Sequence, residues 1–121
     1  VNYNEKSPIY LQIIQKIKAD IVSEKLKGGD KMPSVREMSE NYKVNPNTVQ
    51  RVFMELEREG IAYSQRGIGT FVTEGNELLE KLKKTQADKY TRGYIEEMLE
   101  LGMRKDDIIE YLSKAIKEDE I

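Results

Sequence analysis

A chain of 121 residues, 38% hydrophobic and 35% charged, suffices for one compact domain or a small domain with an appendage. It has neither cysteine nor histidine, which removes disulfides, thiol nucleophiles, thiolate metal sites and the commonest general base. The net charge is −2, so a nucleic-acid partner would have to be met by the local field of one face rather than by an overall basic excess.

The first helix signal is Ser7-Pro8, a capping residue followed by proline at the first helical position. Tyr10, Ile14, Ile17 and Ile21 recur at helical spacing, with Ile13 widening the stripe. The turn cluster Gly28-Gly29-Asp30 predicts an end near Lys25 to Lys27. A second, shorter helix is expected from Ser34, which stands three residues before Glu37 in the pattern of a capping box. Val35, Met38 and Tyr42 form its apolar face. A third opens at Asn45-Pro46 and buries Val49, Val52, Phe53 and Leu56, with Gly60 as its stop.

The period then changes. Ile61–Ser64 and Thr70–Thr73 read as strands joined by the glycine-bearing loop Gln65–Gly69. Residues 76–121 read as helix again, interrupted at Leu101-Gly102, with the last few residues expected to fray. The expected fold is therefore mainly α with one β-hairpin: a winged helix-turn-helix over residues 1–75, then a two-helix tail over 76–121.

Exposed side chains carry the functional reading. Opposite the apolar face of the third helix lie Asn47, Gln50 and Arg51, with Met54 and Arg58 further on. Amides suit adenine edges, and arginine suits guanine or phosphate. A plain solvated face is the competing interpretation, but no acid occurs from Pro46 through Met54, which leaves the positive helix end open to an anion. Arg36 is a cation in the first turn of the second helix, against the helix dipole, and either meets DNA or pairs with Glu40 one turn on. Arg66 stands in the hairpin loop just before Gly67 and Gly69, suited to a minor groove or simply exposed.

Several ordered motifs resemble GntR-type bacterial regulators: Gly29–Glu37 (GDKMPSVRE), Val44–Val49, Leu56–Gly60, Arg66–Val72, and Pro8–Ile13 in the opening helix. The resemblance spans about residues 7–73. It implies a homodimer on a palindromic operator of double-stranded DNA. By position it implies DNA contacts from Ser34, Arg36, Asn45, Asn47, Thr48, Gln50, Arg51, Arg66 and Gly67. Ser23-Glu24 departs from the pattern, since family members often carry a glycine near the end of the first helix. The short tail resembles the YtrA-like subgroup, in which the tail mainly dimerises. Its apolar residues Leu78, Leu82, Tyr94, Met98, Leu101, Ile108, Ile109, Leu112 and Ile116 exceed what one thin helical hairpin would bury, and are expected to pack across a two-fold axis.

The overall expectation is a cytoplasmic, sequence-specific transcriptional regulator, most simply a repressor, without catalytic residues, metal or cofactor. The rival is a winged-helix protein-interaction module that binds no operator. No residue set points to a small-molecule effector. No apolar run approaches the ~20 residues of a membrane helix, and the polar start Val1–Lys6 gives no sign of a signal peptide. A short stretch is expected to precede Val1.

Overall fold

The computed structural model describes residues 7–119. Among them the order is α1 (Ile9–Val22), α2 (Val35–Tyr42), α3 (Pro46–Arg58), β1 (Ala62–Gln65), β2 (Gly69–Val72), α4 (Asn76–Glu100) and α5 (Lys105–Asp119). They form two compact units, residues 1–83 and 84–121. The described start of α5 and its run to Asp119 replace the expected frayed end; Glu120 and Ile121 lie outside the described residues.

In the first unit, α1 begins one residue later than expected. Pro8 is the N-cap instead of the first helical residue, and its carbonyl accepts from Leu11 and Gln12 at 3.1 and 3.3 Å. Ser7 therefore caps nothing with its side chain, though its carbonyl accepts from Gln12 Nε2 at 2.8 Å. The helix also stops earlier, at Val22. Glu24 takes a left-handed φ of 62°, so that its own amide bonds Ile21 O and that of Lys25 bonds Asp20 O, the pairing of a Schellman closure. A glutamate gives no warning of this in the sequence, because the conformation normally favours glycine.

The next two helices start where their caps predict. Ser34 Oγ accepts from Glu37 N at 3.1 Å while Glu37 Oε1 accepts from Ser34 N at 3.2 Å, a complete capping box. Asn45 Oδ1 accepts from Asn47 N at 2.7 Å with Pro46 behind it. The two-residue link between α2 and the cap of α3 turns through Lys43 at φ 55°. Gly60 closes α3 with φ 75°, and Ile61 N–H reaches Leu56 O at 2.9 Å.

The hairpin is antiparallel, with Ala62 opposite Val72 and Gln65 opposite Gly69, so each strand lies one residue off the expected bounds. A third extended segment joins it. Gly29 N–H bonds Val72 O, Val72 N–H bonds Asp30 O, and Met32 N–H bonds Thr70 O, all at 2.8–2.9 Å, around a bridge between Lys31 and Phe71. What reads as a turn cluster in the sequence thus also supplies a short edge to the wing.

The core of this unit takes Ile13, Ile14, Ile17 and Ile21 from α1, Met38 from α2, the predicted Val49, Val52, Phe53 and Leu56 from α3, and Ile61, Ala62 and Val72 around the hairpin. Six of its side chains are under 2% exposed, and each full burial of this kind contributes roughly 1.5–3 kcal/mol. Lys18 is buried with them and donates to Glu59 Oε1 at 3.0 Å, tying α1 to the end of α3. Leu82 also belongs to this core, and Leu79 packs against it. The first unit therefore reaches past the 75/76 division drawn from the sequence, because the first turns of α4 help to cover it.

In the second unit, α4 ends at Glu100, as Leu101-Gly102 predicts: Gly102 has φ 83°, and Met103 N–H bonds Met98 O at 3.2 Å. Asp107 accepts from Arg104 N at 3.3 Å at the start of α5. Ile108 is buried, but Leu101 is 75% and Ile109 66% exposed, and Leu112, Ile116, Tyr90, Leu99 and Tyr111 are exposed as well. Tyr94 and Met98 are half-buried.

Candidate nucleic-acid interface

Three elements of the first unit bear on the candidate surface. α2 and α3 pack at a tight turn, α3 packs on β1, and the wing base is tied back to α3 by a hydrogen bond from Ser64 Oγ to Glu57 Oε1. Ser64 also meets Thr70 across the hairpin at 3.3 Å. The wing is thus fixed against the helix whose outer face carries the candidate readers.

An open cleft runs between them. It is lined by Ser34 from the start of α2, by Gln50 and Met54 from α3, and by Ile68, Gly69 and Thr70 from the wing. Lys31 lines it too, from the edge segment beside β2. A Cβ on Gly69 would stand 2.7 Å from Lys31 Cε, so glycine there makes room for the lysine stem. The two carboxylates in the cleft are both engaged: Glu37 in the capping box and Glu57 by Ser64. The amide and hydroxyl bonds from Ser34 hold the Glu37 carboxyl below its ordinary 4.5, helped by the charge of Lys31.

Asn45 and Asn47 stand exposed at the opening of α3, whose first turn has no acid. Thr48 is half-buried in the same turn. With no acid in its first turn, the start of α3 favours an anion. Arg36 makes the pair with Glu40 that the sequence allows, at 3.3 Å. Its side chain is 88% exposed, though, and pairs so exposed are worth about 0–1 kcal/mol, so the guanidinium is readily surrendered to a stronger partner. Arg66 and Gly67 form the tip of the wing, in a turn closed by Ile68 N–H to Gln65 O at 2.9 Å. Gly67 has φ 79° at the third position, where a turn of this hand needs glycine, and open space surrounds it.

Arg51 departs from the rest. It turns toward α1, where its guanidinium lies over the Tyr10 ring at 3.8 Å and Nη2 donates to the phenol oxygen at 3.0 Å. It does not line the cleft shared by Ser34 and Gln50. Tyr10 reads in the sequence as part of an apolar stripe, and only the folded chain shows its second use. Lys31, Met54 and Ile68 are likewise outside the sequence-derived set; Met54 is 67% and Ile68 58% exposed. Their signal in the sequence is faint: an apolar residue on the polar stripe, and one at a loop tip. Among the described residues there is no group of three or more acidic side chains that could hold a metal ion, and no helix is long and apolar enough to cross a membrane.

Comparison with known proteins bears directly on this surface. The family model described as "Bacterial regulatory proteins, gntR family" matches residues 9–72, from α1 through the wing. The HTH-type regulator YhcF of Bacillus subtilis is 44% identical over 108 residues, 89% of each chain. The HTH-type transcriptional repressor YtrA of the same organism is 46% identical over 74 residues, 61% of this chain and 57% of YtrA. Among solved structures, a GntR family regulator from Listeria monocytogenes superposes with TM-score 0.82 at 39% identity, covering 93% of this chain and 98% of the other. The DNA-binding domain of AraR, solved in complex with its operator ORX1, matches with TM-score 0.55 at 27% identity, over 60% of this chain and 93% of that one.

Proposed function

The chain belongs to the gntR family of bacterial regulatory proteins, as a DNA-binding transcriptional regulator of the YtrA-like branch, and from that premise we propose that it is a repressor gripping a palindromic operator as a homodimer. The family and these relatives are transcription regulators, not enzymes. The observation that carries the DNA reading is the acid-free opening of α3 beside a wing tied to the same helix. Asn47 and Gln50 read base edges from that opening, and Arg36 reaches a base or phosphate once Glu40 releases it. Ser34, Asn45 and Thr48 set the register on the backbone, and Arg66 and Gly67 enter the minor groove. The protein acts in the cytoplasm, where operator DNA lies. Names of relatives support repression, YtrA among them.

For the dimer, the support is the second unit's exposed apolar side chains. Tyr94, Met98, Leu101, Ile109, Leu112 and Ile116 would face the partner copy, and Leu78 of the first unit is proposed to pack against the partner as well. Leu82 and Ile108 drop out of that set, since each is already buried within its own unit. YhcF matches over nearly its whole length, so the short tail is shared with that relative.

Selection of bound duplexes from a random pool should enrich a palindrome whose half-sites lie about one DNA turn, ~34–36 Å, apart. Recovery of no motif at moderate salt would sink operator reading. Arg36→Ala should cost roughly 1–3 kcal/mol of operator affinity, with preference relaxed at one position if it reads a base and a uniform loss if it grips a phosphate. Sedimentation equilibrium should give twice the chain mass at micromolar concentration; a monomer there would remove the dimer.

A further inference from the structure

Arg36 and Arg51 are both exposed cations of the helix-turn-helix, but they are held by different chemistry. Arg36 rests on a carboxylate, Glu40. Arg51 rests on a neutral ring, stacked at 3.8 Å and bonded through Nη2 at 3.0 Å to a residue 41 positions earlier. A carboxylate cancels the charge it orients and competes with phosphate for it. A phenol orients the guanidinium and leaves its full charge to be used. The nearest acid on the same helix, Glu55, one turn on, is bonded by Arg58 at 2.6 Å and held below its ordinary value chiefly by that bond, with a smaller pull from the charge of Arg51.

We propose that Tyr10 is a positioning residue for DNA binding, which commits Arg51 to the DNA backbone as a phosphate contact and withdraws it from base reading. This rests on the reading of α2, α3 and the wing as the DNA interface. The ring contact holds the guanidinium carbon 3.8 Å above Tyr10, and the hydrogen bond ties Nη2 to the phenol oxygen. With one Nη2 hydrogen given to the phenol, the other Nη2 hydrogen and those on Nε and Nη1 stay available to donate to a phosphate. Tyr10 lies in the first turn of α1, outside the helix-turn-helix pair, so a side chain tied to it is held aside from the cleft where Ser34 and Gln50 meet the wing. Half-buried against the core, the ring cannot follow Arg51 elsewhere. The rotamer freedom that a long side chain would lose on meeting DNA is thereby lost on folding instead.

The test uses the full chain and two duplexes of equal length: the one selected by the wild type and a scrambled one. Binding is followed by fluorescence anisotropy over a salt series. Arg51→Ala should weaken both duplexes by a similar factor and lower the salt slope by about one, without changing the selected motif. Tyr10→Leu should weaken binding about threefold to tenfold, and Tyr10→Phe, which keeps the stack, about twofold. Both losses should disappear when Arg51 is already alanine. Arg51→Lys, with the charge but no flat face, should lose affinity as Tyr10→Leu does. Unchanged or tighter binding by folded Tyr10→Leu, or a motif relaxed at one position by Arg51→Ala, would overturn the proposal. Should Tyr10→Leu not fold, wild-type affinity in Arg51→Lys overturns it equally. If the wild type itself shows no salt-dependent affinity for either duplex, the DNA reading fails first, and that is seen before any variant is made.

Discussion

The two units of this chain treat their apolar side chains in opposite ways. In the first, fourteen apolar residues from three helices, the edge segment, the hairpin and the start of α4 close on one another, and of those left exposed Met54 and Ile68 line the candidate DNA surface. In the second, Ile108 is buried while Leu101, Ile109, Leu112 and Ile116 stay in water. The first unit thus has a closed core of its own. The second has the composition of half a core. On the proposed function, reading falls to the part with a closed core and pairing to the part without one.

Core truncation should separate the two most sharply. Leu56→Ala, at a fully buried site of the first unit, should cost about 2–5 kcal/mol in thermal or denaturant unfolding at any protein concentration. Leu112→Ala together with Ile116→Ala should leave that transition in place and instead make the tail's unfolding and the chain's mass depend on concentration. If both variants behaved alike, the contrast between the units would be false.

A subtler comparison uses one closure motif found in both units. The helix ends at Glu24 and Gly102 each place one left-handed residue, at φ 62° and 83°, but only one of them is glycine. Glu24→Gly should therefore stabilise the first unit by up to about 1 kcal/mol, and Gly102→Ala should destabilise the second by about the same amount. Neither should alter the bound DNA motif. A loss of stability in Glu24→Gly would mean that the glutamate makes a compensating contact.

The smallest expected effect is electrostatic. Glu37 and Glu55 in the first unit and Asp88 in the second are all held below their ordinary carboxylate values, by Ser34, Arg58 and Lys84 respectively. For each, the folded chain releases its proton more readily than the unfolded chain. Its contribution to stability is thus present above the ordinary value and fades as pH falls through the folded one. Carboxyl-resolved NMR titration should place Glu37 below 4.5. Ser34→Ala should raise it only part of the way, because the backbone bond, the larger cause, remains. Lys84→Ala should raise Asp88 and leave Glu37 untouched. A Glu37 midpoint at or above its ordinary value would contradict the capping box.

Much of the first unit could be read from local rules. Ser34 with Glu37, Asn45 with Pro46, and Gly60 are devices whose meaning lies within four residues, and each appears where expected. What escaped reading involves partners far along the chain or residues doing unusual work. Lys31 and Met32 look like a turn until β2 arrives beside them. Leu82 has the spacing of a tail residue, yet periodicity cannot say which neighbour buries a face, and the first core takes it. Glu24 hides a glycine's conformation, and Tyr10 hides a polar contact under an apolar pattern. The candidate DNA contacts were legible as residue types, and the interplay of Arg36 with Glu40 was foreseen. That Arg51 would be turned toward α1 was not.

The pairing of residues 29–32 with β2 also bears on how the chain is made. The segment comes before both helices of the DNA-reading pair, and its partner strand comes after them. As the chain leaves the ribosome, α1, α2 and α3 can settle against one another through short closures, while the backbone around Lys31 waits for Phe71 and Val72. The wing and the run leading into Ser34 therefore share one non-local pairing. The brace on the wing thus depends on a contact between residues some forty positions apart, whereas the helices before it are closed by caps within a few residues.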